Sequence, residues 1–69
     1  MDNKVMVEVL GLINRQNVLL LDMATDERAV ISSSSQKETK RARNSLATMR
    51  TEFSVNHYRI EEILSRFMS

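Results

Sequence analysis

The chain reads as an all-α protein: two antiparallel helices folded on a serine turn into a hairpin that self-associates as a helical bundle. Three observations predict this. Apolar residues between Ala42 and Phe67 return every three to four positions, which is the period of a helix whose seam packs on another helix. The 69 residues include no proline and one glycine, whereas β folds spend both on turns. Four consecutive serines, Ser32 to Ser35, divide the chain into two periodic halves. The expected helices cover about residues 3–31 and 35–68, with the turn at 32–35, in one unit spanning 1–69.

The second half is the more regular. Written as a heptad, Leu46, Phe53, Ile60 and Phe67 share the a position, and Ala42, Met49, Asn56 and Ile63 share d. Asn56 is the one polar side chain in this seam. Burial there would cost stability and specify register or oligomer state. His57 and Tyr58 fall beside or away from the seam. Glu62 and Arg66 stand at i,i+4, a favourable helical spacing.

In the first half, Asp2 or Asn3 can cap a helix start. At about 100° per residue, Val5, Met6, Val9, Leu10, Leu12, Ile13, Leu19, Leu20, Met23, Ala24, Val30 and Ile31 share a sector roughly 200° wide. An ordinary surface helix needs only about half of that. One neighbouring helix does not cover such a stripe, so contact on two sides is expected. Val18 and Leu21 lie outside the sector. The alternation of Val5, Val7 and Val9 with Met6, Glu8 and Leu10 also fits a strand. The alternative fold is therefore an N-terminal β-hairpin followed by one long helix, with its turn at Asn14-Arg15-Gln16-Asn17. That tetrapeptide lacks the Asn-Gly or Asp-Gly signal of a tight hairpin.

The serine tract offers a stop and a restart. Ser33 with Gln36, and Ser35 with Glu38, have capping-box spacing. Beyond it, Lys37, Lys40, Arg41 and Arg43 face only Glu38, and positive charge at a helix start opposes the macrodipole. A hairpin folded about Ser33–Ser34 sets Asp26 and Glu27 beside Lys40 and Arg41, which is the expected neutralisation. Residues 1–31 carry three basic and five acidic side chains and the remainder seven and four, so the halves attract weakly.

Composition excludes several classes of function. No cysteine means no disulfide framework and no thiolate metal site, and one histidine does not make a zinc site. No cofactor is expected, because facing histidines or Glu-x-x-His are missing. No nucleophile–base spacing suggests an enzyme. No run of about 18 apolar residues marks a membrane span, and the start Met1-Asp2-Asn3-Lys4 lacks the cationic opening of a secretory leader. The cytoplasm is the expected location.

What remains is a small protein-interaction module: an adaptor, an assembly or secretion chaperone, or a coiled-coil subunit. It would act through Met6, Val9, Leu10, Ile13, Leu20 and Met23 of the first half and Leu46, Met49, Phe53, Ile60, Ile63 and Phe67 of the second. Its expected partner is another protein, a second copy, or both. The alternative is a nucleic-acid-binding regulator with Lys37, Lys40, Arg41 and Arg43 as candidate polyanion contacts. A net charge of +1 and the lack of a stacking aromatic near the basic run argue against it.

Overall fold

A computed structural model describes residues 2–68, with the side chains of residues 2–67. The ends of the expected unit, Met1 and Ser69, lie outside the described residues. Two helices, α1 (Asn3–Ser32) and α2 (Gln36–Met68), form a hairpin 49 Å long and about 15 Å across. Thirty residues at about 1.5 Å each make a rod of this length. Both boundaries fall within one residue of those expected. The β-hairpin alternative is not adopted: residues 5–23 are helical throughout.

Local chemistry sets the ends. Asp2 caps α1 by accepting from the Lys4 amide at 3.2 Å. Ser33 ends it, its own N–H donating to the Ala29 carbonyl at 2.9 Å. Ser35 starts α2, its hydroxyl accepting from the Glu38 amide at 3.4 Å. One of the two expected capping boxes thus forms in part. The Ser33–Gln36 box does not form, because Ser33 is consumed in closing α1. Its hydroxyl accepts from the Ser35 amide at 3.1 Å and donates to the Glu38 carboxylate at 3.0 Å. Three residues therefore suffice to reverse the chain, with serine hydroxyls taking up the Ser35 and Glu38 amides.

The helices meet along one narrow seam. On α1 its residues are Val5, Val9, Leu12, Gln16, Leu19, Met23, Asp26 and Val30, all buried or half-buried, at alternating steps of four and three. On α2 they are Ala42, Leu46, Met49, Phe53, Asn56, Ile60 and Ile63, as the heptad predicts. Leu19, Met23 and Leu46 make the central cluster, with Val30, Met49 and Phe53 packed against it. Leu19 is 1% exposed. Leu19→Ala should lower stability by roughly 2–5 kcal/mol, read as the urea midpoint. Gly11 is the opposite case: a Cβ built there meets nothing within 4 Å. Gly11→Ala should raise stability by about 0.5–1 kcal/mol.

Among the described residues the seam contains one buried polar side chain, Gln16. Its Nε2 donates to the Phe53 carbonyl at 3.0 Å, while Oε1 is buried with no partner. An unsatisfied buried acceptor costs more than the single bond returns. Gln16→Leu should therefore raise the melting point, by a free energy of about 1 kcal/mol. A lowered melting point would show that the amide holds the two helices in register. Asn56, expected to hold that role, is only half-buried.

Candidate functional site

The two edges of the hairpin differ. Along one edge Arg15 binds Glu52 through two side-chain hydrogen bonds, the outer at 2.9 Å, and Arg59 binds both oxygens of Glu8 at 3.2 Å. These pairs are one heptad apart on each helix, as an antiparallel register requires. Glu62 extends the edge, reaching Arg66 at 2.7 Å and Arg59 at 3.6 Å. The charges are about half exposed, so they orient the helices more than they stabilise them.

The other edge is apolar on α1. One residue after each seam position, the steps of four and three repeat: Met6, Leu10, Ile13, Asn17, Leu20, Ala24, Glu27 and Ile31. Met6, Leu10, Ile13 and Leu20 remain between 40% and 53% exposed, and Ile31 is 85% exposed. Val7 and Leu21 widen the face on its solvent side, whereas Val18, one residue before Leu19, lies on the ion-paired edge with Glu8 and Arg15. At the turn end, Glu27, Val30 and Ile31 of α1 and Arg43, Leu46 and Arg50 of α2 line a shallow groove open to solvent. The wide stripe of α1 is thus half occupied by α2 and half bare.

The residues expected to form an interface separate accordingly. Val9, Met23, Leu46 and Ile63 are buried inside the hairpin and offer nothing to a partner. Met49, Phe53 and Ile60 are half-buried along the same seam. Met6, Leu10, Ile13, Leu20 and Phe67 are the exposed ones. Leu12, Gln16 and Leu19 show why the wheel did not separate them: a 200° sector holds two heptad tracks one residue apart. Splitting the sector by steps of three and four would have found both.

The expected neutralisation of the basic run does not occur. Glu27 pairs instead with Arg50 at 3.8 Å, because both lie on the groove edge. Asp26 takes a half-buried seam position, and no cation lies within ion-pair distance of it among the described residues. Glu38 turns to Ser33. Among the described residues, Lys37, Lys40, Arg41 and Arg43 form no ion pair. His57 contacts Glu61 at 3.1 Å on the surface, and Tyr58 is exposed.

Among the described residues no group of three acidic, histidine or cysteine side chains could hold a metal ion, and no helix is long and apolar enough to cross a membrane. The fold and its bare face define a class of protein, a helical hairpin with one ion-paired edge and one apolar edge. No protein-family model matches the chain, and no curated protein or solved structure shows significant similarity to it.

The ion-paired edge has a pH signature. The hydrogen bonds from Arg15 hold the Glu52 carboxyl below its ordinary value of 4.5, against the opposing effect of partial desolvation. The same hydrogen bonds to Glu52 raise the Arg15 guanidinium further above its ordinary value. A depressed folded value means that the pair's contribution is present above pH 4.5 and is lost as pH falls through the lower folded value. Melting points should therefore fall below about pH 4.5, and Glu52→Gln should flatten that fall while lowering the melting point at neutral pH. An unchanged acid limb in the variant would show that other carboxylates control it.

Proposed function

We propose that the chain is a small non-enzymatic protein-interaction module acting through the outer face of α1. The observation that supports this is a second heptad-spaced apolar track on a helix whose first track is already occupied. Soluble helices place charge on such a surface; exposed apolar residues that recur along one track, as Met6, Leu10, Ile13, Leu20 and Ile31 do here, mark a site for another protein. Adaptors, assembly or secretion chaperones and coiled-coil subunits share this physics. A cytoplasmic setting suits a chain that contains no cysteine.

A photo-crosslinking side chain placed at Leu20, and separately at Arg15, tests the reading in cells. Protein adducts should form from Leu20 and not from the ion-paired edge. Adducts from neither position, or equally from both, would remove the apolar face as the working surface.

A second reading draws on a different observation, the four cations without an ion pair at the start of α2. A regulator that binds nucleic acid would use them on phosphates. Four cations give a salt slope of at most about −3 to −4, which leaves weak binding at physiological salt. Fluorescence anisotropy with labelled duplex and single-stranded probes should show no submicromolar binding at about 150 mM salt. Tight binding abolished by alanine at Lys40, Arg41 and Arg43 would make nucleic-acid regulation the better account.

A further inference from the structure

We infer that the outer face of α1 takes the same face of a second copy, the two α1 helices running antiparallel about a two-fold axis to complete a four-helix bundle. This rests on the interaction-module reading and names its partner. Surface area is the first ground. A folded monomer of 8.0 kDa exposes about 4,450 Å² by the scaling of surface with mass. This hairpin exposes 5441 Å², an excess of about 1,000 Å². A face 49 Å by 15 Å has a footprint on the order of 700 Å². Both figures bracket the roughly 800 Å² per partner of a standard stable interface. One hairpin docked on another by this face removes most of the excess.

Charge is the second ground. A face that meets its own copy must carry no like charges at its centre. Of the eight positions on the outer track only Glu27 is charged, and it already has Arg50. A track built for a partner of stated sign would carry the opposite sign.

Charge also selects the direction. Residues 26–50, the turn end, hold six basic and three acidic side chains; the rest of the chain holds four basic and six acidic. Parallel copies would stack two turn ends of net +3, each with the unpaired cations of α2. Antiparallel copies set +3 against −2 and separate the turn ends by most of the 49 Å rod, several Debye lengths. The track sets the register. An axis level with residue 15 brings Leu10 across from Leu20 of the second copy, and leaves Glu27 outside the pairing beside its own Arg50.

Light scattering on the purified full chain should give twice the 8.0 kDa chain mass at micromolar concentration. Leu20→Asp should halve it and keep the helical circular dichroism, because Leu20 is half exposed and does not support the hairpin. The chain has no cysteine, so single thiols report the register without folding defects from aspartate. Leu10→Cys mixed with Leu20→Cys under mild oxidation should give mainly the mixed disulfide, since only that pair comes within bridging distance. A wild-type mass of 8.0 kDa up to about 100 μM, beyond the weak limit of standard-size interfaces, would overturn the second copy. A Leu20→Cys homodisulfide as the main product would overturn the antiparallel pairing about residue 15, since it requires parallel helices or an axis level with residue 20. A monomer that still crosslinks from Leu20 in cells would overturn this inference and leave the interaction module standing. A monomer without such adducts would remove both.

Discussion

Everything in this hairpin depends on a seam one heptad track wide. Two helices joined by three residues have one line of contact, and among the described residues only Val9, Leu19, Met23, Ala42, Leu46 and Ile63 are buried apolar residues on it. Side chains on that line must interdigitate closely, because no second layer compensates for a void. The same narrowness gives Gln16 its weight. In a broad core a buried amide is one polar group among many packed neighbours. Here it interrupts the single row, near its middle, with one hydrogen bond to the main chain of α2 and one bare acceptor.

The seam also divides the surface into two unequal edges. On one, Glu8, Arg15, Glu52 and Arg59 pair across the helices and state the antiparallel register in charge. On the other, α1 presents Leu10, Ile13 and Leu20 where a solvated helix would carry polar residues. Cross-helix ion pairs and bare apolar surface thus lie on opposite edges. A slip by one heptad would break the ion pairs even though the apolar rows could still interlock. Among the described residues the turn also leaves Lys37, Lys40, Arg41 and Arg43 without carboxylate partners, which makes one end of the rod electrically distinct from the other.

Much of this was legible in the residues. The period from Ala42 to Phe67 located α2 and its seam, because a helix that packs on one neighbour repeats its contacts every three to four residues. The serines placed the turn, because their hydroxyls satisfy helix ends. The width of the apolar stripe on α1 showed that α2 alone would not cover it. Which half of that stripe α2 takes was not legible. Met6 and Val5, or Leu20 and Leu19, are neighbours on the wheel and chemically alike, so composition does not rank them.

The sequence by itself determined the two helices, their ends, the turn and the excess of apolar surface, since all of these follow from local periodicity and capping. Only the tertiary structure decided which track lies inside. That choice depends on how α2 settles against α1, and the settling is shared among Leu19 and Leu46, the Gln16 amide and the cross-helix ion pairs. It also decided that Glu27 goes to Arg50 and not to Lys40 or Arg41. Sequence distance from the turn suggested the latter, but the direction a side chain takes from its helix edge determines which cation it meets.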